Sequence, residues 1–185
     1  MSQRNVKNTR FGRGRYNTDY APDATGEFHY VGTYYLVQLE PEALRAMRIR
    51  LATLWLGMLA AFLVGGTGNG VTGRTFYALL PFICCMMPIF YMILGLGSWV
   101  MRKEPRLTRK GMDETLHRME HSAIGLLICA GLALAGGITA CIVNKTLAGE
   151  WSFLISCAVL TVAGALTLRT LRSIPVKEQH RGDAQ

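Results

Sequence analysis

The stretch that most constrains the fold is an uncharged run from Thr75 to Met101, twenty-seven consecutive residues without an Asp, Glu, Lys or Arg side chain. As a helix it would measure about 40 Å, against about 30 Å for the hydrocarbon core of a bilayer. Pro81 and Pro88 would interrupt a helix in water, but in a bilayer neighbouring helices can satisfy the carbonyl groups that prolines free. The run therefore predicts a transmembrane helix kinked at Pro81 and Pro88.

Three further apolar stretches accompany this run, and half of the 185 residues are apolar. The chain is therefore predicted to be an all-α polytopic membrane protein, a bundle of four transmembrane helices with a short cytoplasmic N-terminal extension. The predicted spans are about 47–66, 75–101, 122–143 and 151–168. The third helix is expected to be continuous from about Asp113 to Val143 and to project from the membrane at its start.

The polar segments define the expected domain limits. Residues 1–40 would form a basic arm and a tyrosine-rich juxtamembrane segment, residues 41–172 the transmembrane domain, and residues 173–185 a cytoplasmic tail. The first forty residues contain no apolar region followed by a small-residue cleavage site. We therefore expect the first span to act as its own insertion signal.

Lys and Arg residues are distributed unequally between the two sides of the predicted bundle. Eight lie in the N-terminal segment, counted through Arg50 at the start of the first span, six lie in the 102–121 loop and four follow the fourth span, whereas Arg74 and Lys145 are the single basic residues of the other two loops. This bias predicts that both termini and the middle loop are cytoplasmic, with a bacterial plasma membrane as the expected location. Orientation and anionic headgroups account for the net charge of +8, so no nucleic-acid partner is expected.

The N-terminal extension divides into two parts. Residues 1–27 are polar and predict a disordered arm. Residues 28–39 place aromatic and β-branched residues on both sides of a Gly-Thr pair, which is typical of a β-hairpin, while an extended linker is the alternative. The candidate contacts to a protein partner or to lipid are Tyr30, Tyr34, Tyr35, Arg45 and Arg48.

A possible metal motif lies at the start of the third helix. His117, Glu120 and His121 match H-x-x-E-H, in which two histidines one helical turn apart share a face. The simpler interpretation is a charged, solvated helical turn, and a pH-responsive patch is a third possibility because histidine titrates near neutrality.

A second candidate metal site is the sulfur-rich run from Cys84 to Met87, because sulfur ligands suit Cu(I). Successive helical residues point about 100° apart, so core packing is the favoured interpretation. The five cysteines show no disulfide or zinc-ribbon spacing. No cofactor and no catalytic residue are predicted.

Tyr77, Cys84 and Tyr91 recur at the seven-residue interval that also separates Pro81 from Pro88, a pattern that could line a solute path. However, the interiors of the four predicted spans carry no ionisable Asp, Glu, Lys, Arg or His, which disfavours ion-coupled transport. Small residues in the third span favour close helix packing or dimerisation.

These patterns favour a non-enzymatic accessory, assembly or regulatory component of a membrane complex, with a protein partner or a homo-oligomer. The second hypothesis is a transporter or channel subunit for a small neutral solute, and the third is a metal-binding membrane protein that uses the H-x-x-E-H turn.

Overall fold

The computed structural model of the chain describes residues 20–22, 28–30, 32–68, 70, 72–101, 106–145 and 150–179. The described chain is mostly helical. The helices are α1 (Pro41–Gly66), α2 (Phe76–Cys84), α3 (Met86–Val100), α4 (Arg109–Met112), α5 (Arg118–Asn144) and α6 (Trp151–Arg172). The strands are β1 (Tyr20–Pro22), β2 (Phe28–Tyr30), β3 (Tyr34–Val37), β4 (Arg106–Thr108) and β5 (Val176–Gln179).

Four helical segments of the described chain are long and apolar enough to cross a membrane, which confirms the predicted set of four apolar helices. They are Pro41–Gly66, Phe76–Val100, Arg109–Asn144 and Trp151–Arg172. The third begins four residues before the predicted Asp113, because Thr108 caps it: Gly111 N donates to Thr108 Oγ1 over 3.1 Å. A π-helical turn, Asp113–His117, joins α4 to α5.

The second apolar segment is interrupted at Cys85, between Pro81 and Pro88. Proline has no N–H, so Pro88 cannot donate to the carbonyl four residues earlier, which belongs to Cys84. The chain turns here instead, with Cys85 N donating to Phe82 O over 3.0 Å. The interruption separates α2 from α3.

A three-stranded antiparallel sheet in the order β4-β3-β5 lies beside the helices, and the all-α prediction did not include it. Tyr35 of the central strand is opposite Leu107 of β4 and Glu178 of β5. The sheet therefore joins the chain before α1, the loop after α3 and the segment after α6. These are the three segments in which the basic residues concentrate.

The hairpin prediction for residues 28–39 is wrong. Phe28–Tyr30 pairs with Tyr20–Pro22 in a separate two-stranded sheet, whereas Tyr34–Val37 is the centre of the larger sheet. Local sequence suggested that the two runs pair with each other, but each finds a different partner. Strand β1 also lies within the predicted disordered arm, and residues 1–19 and 23–27 of that arm lie outside the described residues.

One face of the sheet belongs to the hydrophobic core. Val37 and Leu107 are buried, and Tyr35 and Val176 pack against the same core cluster. The cluster continues into the helices through side chains such as Trp99. The sheet thus covers the end of the bundle at which α1 begins and α3 ends.

Candidate functional site

An open groove with a volume of about 600 Å³ lies between α3 and the start of α5. We call it the α3–α5 groove. Its lining residues are Met87, Pro88, Tyr91, Asp113, His117, Arg118, His121 and Ser122. Three of the five residues of the H-x-x-E-H turn thus lie beside one of the two kink prolines.

Small residues bring α3 and α5 close together beside the groove. A Cβ on Gly95 would lie 2.7 Å from Met119 Cγ and 3.1 Å from the carbonyl oxygen of Thr115. A Cβ on Gly125 would lie 3.9 Å from Pro88 Cβ. The two helices therefore run antiparallel, and the position of His121 along α5 lies between the levels of Pro88 and Gly95 on α3.

The polar end of the groove is built on the π-helical turn. Asp113 Oδ1 lies 4.0 Å from His117 Nε2, one turn along the helix. His121 Nδ1 lies 2.7 Å from the carbonyl oxygen of His117. Because a carbonyl oxygen only accepts hydrogen bonds, this geometry assigns the proton to His121 Nδ1 and leaves Nε2 available for a ligand.

Glu120 turns away from the two histidines. Its Oε1 accepts a hydrogen bond from Arg172 Nε of α6 over 3.0 Å. The ring centroids of His117 and His121 lie 6.4 Å apart. Among the residues that the structure describes, no three His, Cys, Asp or Glu side chains are grouped so that they could hold a metal ion.

The sulfur-rich run also divides between different surroundings. Cys85 is fully buried, whereas Cys84, Met86 and Met87 are exposed on the outside of the helix. Only one of the four side chains therefore points into the bundle. Cys85 Sγ donates to the carbonyl oxygen of Pro81 over 3.4 Å, a contact within its own helix.

No family model, curated protein or solved structure matches this chain.

The tyrosines predicted as partner contacts make contacts within the chain. Tyr30 Oη donates to the carbonyl oxygen of Thr33 and accepts from Arg109 N, both over 3.0 Å. Its ring packs edge-on against Tyr34, with centroids 4.9 Å apart. Tyr30 thus ties the segment before β3 to the start of α4.

Tyr35, on the central strand β3, is half-buried on the face of the sheet that packs against the core. Burial, followed by the negative charge of Glu178, raises the pKa of the Tyr35 hydroxyl above its usual value. All three predicted contact tyrosines therefore take part in packing within the chain itself.

The predicted arginine contacts differ from each other. The Arg48 guanidinium lies over the Trp99 ring, 5.5 Å from its centroid, and so joins α1 to α3 through a cation–π contact. Arg45, one turn earlier, is exposed. Of these two arginines, Arg45 is the one whose side chain is exposed, as a contact to lipid or to a protein partner requires.

The tyrosines proposed for a solute path do not face the centre of the bundle. Tyr77 and Tyr91 are about half exposed on the outer surface, at 48% and 47%. Fully buried side chains fill the centre instead, among them Met58, Leu126 and Leu160. The arrangement does not favour the solute-path hypothesis.

Sequence reasoning missed a buried carboxylate at the opposite end of the bundle. Glu150, 3% exposed, accepts from Thr72 N over 3.2 Å and from the Thr72 hydroxyl. The Glu150 carboxylate also occupies the space that a Cβ on Gly70 would need. The available signal was an acidic residue beside Trp151 on the side with few charges. This contact fixes the segment before α2 to the start of α6.

Proposed function

We propose that the chain is a non-enzymatic, four-span integral membrane protein that acts as an accessory or assembly component of a membrane complex. Its proposed location is a bacterial plasma membrane, with both termini and residues 102–121 in the cytoplasm. The observation that carries the proposal is the β4-β3-β5 sheet, which gathers three separate segments on one end of an apolar bundle. Such a sheet offers a folded surface to a partner.

The charged residues nearest the apolar parts of the helices lie at similar heights along the bundle, which supports a common membrane boundary. Arg50 is the last charged residue of α1. On one side of it, Trp55 Nε1 donates to Ile89 O of α3 over 2.9 Å, and on the other side Arg48 lies over Trp99 of α3. Arg50 is therefore level with the part of α3 between Ile89 and Trp99. His121 meets α3 in the same interval. The Glu120–Arg172 pair sets α6 at this level as well.

These contacts support a proposed boundary that crosses α3 near Met92. The membrane part of the second span would then run from Phe76 to Met92, about 25 Å at about 1.5 Å per residue. The last two turns of α3 would lie beyond the boundary, where Gly95, Leu96 and Trp99 are buried by α1, α5 and the π-helical turn. This explains why the uncharged run is longer than one crossing needs.

The cytoplasmic assignment of the sheet follows from its charges. The three segments that form it, taken together with the adjoining ends of the helices, contain eighteen of the twenty Lys and Arg residues. Basic residues beside spans are retained in the cytoplasm. The pairing of β3 with β4 and β5 supports the expectation that these segments share one side.

Strand β5 forms one edge of the sheet, and in the described part of the chain β3 is its strand partner. Gln38 N donates to Pro175 O over 3.0 Å, so hydrogen-bonded pairs alternate from there and include Leu36–Lys177. The backbone groups of Val176 and Glu178 therefore face the outer edge. An extended segment of a partner could pair there by strand addition.

The charge of the outer face indicates the kind of partner. The side chain of Lys177 on β5 is exposed and belongs to the face that points away from the core; Arg106 is exposed on the same face, two strands away on β4. An extended cytoplasmic segment with acidic side chains would complement them. We therefore propose an acidic, extended peptide segment of another protein as the occupant of the β5 edge.

The experiment compares proline at two neighbouring positions of β5. Glu178→Pro removes an N–H group that faces the outer edge and leaves the hydrogen bonds between β5 and β3 in place. Lys177→Pro removes an N–H group that bonds to β3. Glu178→Ala is the matched control, because it removes the Glu178 side chain and keeps the backbone N–H. Proteins that co-purify with the full chain from native membranes in mild detergent would be quantified by mass spectrometry.

We expect a partner that is retained by wild type and by Glu178→Ala and is lost from Glu178→Pro. If the co-purifying proteins are the same for Glu178→Pro and Glu178→Ala, the proposal of strand addition fails. Deleting residues 1–40 would be a poorer test, because it removes the central strand of the sheet and with it the fold of the surface being tested.

A further inference from the structure

We propose that the α3–α5 groove binds the headgroup of an anionic membrane phospholipid, with the phosphate at Arg118 and His121 and the start of the acyl chains against Met87 and Pro88. The inference rests on the membrane location proposed above and assigns a ligand to a site that the proposed partner surface does not use. The groove and the β5 edge lie on different elements.

The polar end of the groove offers several hydrogen-bond donors. Arg118 supplies a guanidinium, whose N–H groups all donate. The Nδ1 of His121 donates to the carbonyl oxygen of His117, so its Nε2 is directed to a ligand and donates a hydrogen bond when the ring is the imidazolium. Asp113 is the one carboxylate in the lining, and it lies 4.0 Å from His117 Nε2. That contact pairs Asp113 with His117, whereas the cations available to a phosphate are Arg118 and the imidazolium form of His121. Donors of this kind bind phosphate oxygens well.

The other end of the groove is apolar. Met87, Pro88 and Tyr91 line it, and Met87 is 63% exposed. They lie on the membrane side of the level of Met92, within about two helical turns, or roughly 10 Å, of it. The groove therefore crosses the proposed boundary with its charges on the cytoplasmic side and its apolar surface on the hydrocarbon side.

The surroundings favour a lipid over a soluble phosphate compound. On the membrane side of Met92, α3 and α5 carry large exposed apolar side chains, among them Phe90, Ile124 and Ile128. In a membrane these side chains contact acyl chains. A basic site between helices at the cytoplasmic boundary suits an anionic headgroup.

The test measures lipid retained by the purified full chain in detergent, using native mass spectrometry with phosphatidylglycerol and phosphatidylcholine as probes. The polar end is tested with the double variant Arg118→Gln/His121→Gln, with Lys110→Gln as the control because Lys110 lies outside the groove and pairs with Glu114. The apolar end is tested with Met87→Trp, with Met86→Trp as the control because Met86 is equally exposed and does not line the groove.

We expect wild type to retain phosphatidylglycerol in preference to phosphatidylcholine, and the double variant to bind phosphatidylglycerol about tenfold more weakly, the effect of losing charge-assisted hydrogen bonds. Met87→Trp should also reduce binding, and both controls should stay within about twofold of wild type. Thermal unfolding of each variant confirms that it is folded.

Equal retention of the two lipids, or unchanged binding by the double variant, would overturn the inference. Displacement of the lipid by millimolar inorganic phosphate would also overturn it, because the site would then recognise free phosphate without the apolar half. Failure here leaves the proposed function standing if the topology measurement described in the Discussion gives its expected result. If that measurement instead contradicts the proposed topology, both the proposed function and the lipid site are wrong.

Discussion

Gly136 of α5 lies directly against the backbone of Tyr77 in α2: a Cβ at Gly136 would stand 2.7 Å from the Tyr77 carbonyl oxygen and 3.0 Å from Ala78 Cα. Tyr77 is four residues before Pro81, which has no N–H to donate to that carbonyl. The proline and the glycine therefore belong to one contact. The proline frees a carbonyl group, and the glycine lets the backbone of the next helix approach it.

Gly136→Ala is expected to destabilise the bundle, because the added methyl group meets backbone atoms that cannot move independently. The expected cost is about 1–3 kcal/mol, as for overpacked cores. Gly131→Ala is the matched control, since a Cβ there meets nothing within 4 Å. Thermal unfolding in detergent, followed with a thiol-reactive dye on the buried cysteines, measures both. Equal unfolding temperatures for the two variants would contradict the close approach.

Thr72→Val is expected to destabilise the protein, because it removes the hydroxyl that donates to the buried Glu150 carboxylate. Leaving a buried charged acceptor with one donor fewer costs about 1–3 kcal/mol. Thr139→Val serves as the control because its exposed hydroxyl bonds within its own helix. The same unfolding assay applies. A loss no greater than that of Thr139→Val would show that Glu150 does not depend on Thr72.

The pair Val37→Cys and Val176→Cys is expected to form a disulfide on mild oxidation, because Val37 and Val176 are opposite each other in a pair without ladder hydrogen bonds. Val37→Cys with Lys177→Cys is the control, since those side chains lie on opposite faces of the sheet. Peptide mass spectrometry identifies the cross-link. A cross-link in the control and none in the test pair would mean that the register is displaced by one residue.

Zn²⁺ is expected to bind equally to wild type and to the variant His117→Ala/His121→Ala, because Glu120 is held by Arg172 instead of joining the histidines. Isothermal titration of the purified chain gives the comparison. Tighter, stoichiometric binding by wild type would restore the metal hypothesis.

The stability advantage of wild type over Tyr35→Phe is expected to shrink above about pH 10, the usual pKa of tyrosine. Burial and Glu178 raise the pKa of Tyr35 in the folded state, so the neutral hydroxyl is favoured there. That stabilisation is complete below the unfolded pKa and is lost as the pH rises through the folded pKa. Unfolding temperatures at pH 8 and pH 10.5 provide the test, and a constant difference would contradict it.

The four long helices could be predicted from the sequence because their signal is local. An uncharged run such as Thr75 to Met101 specifies a buried helix whatever it packs against. The run alone did not reveal that its last two turns are covered by other parts of the chain. That depends on Arg48 lying over Trp99 and on Gly95 contacting Met119, which are contacts between distant residues.

The sheet could not be predicted because its strands have three or four residues and the paired strands are far apart in the chain, about 70 residues for β3 and β4 and about 140 for β3 and β5. The local pattern from Phe28 to Leu39 favoured a hairpin within that segment, whereas β3 in fact pairs with β4 and β5. One signal was available: Leu107 is the single large apolar residue in a strongly basic stretch, and it is 1% exposed. The groove was predicted in part, since His117 and His121 were singled out as a possible metal site, but Pro88 and Tyr91 were assigned to a helix kink and a possible solute path.

The most direct test of the account is the side of the membrane on which the sheet lies. Single cysteines at Arg106, Lys177 and Arg74, all exposed, would be labelled with a membrane-impermeant maleimide in intact cells and in inverted vesicles, with wild type as the background. The account predicts that Arg106→Cys and Lys177→Cys react only in inverted vesicles and that Arg74→Cys reacts only in intact cells. Labelling of Arg106→Cys and Lys177→Cys from opposite sides would contradict it.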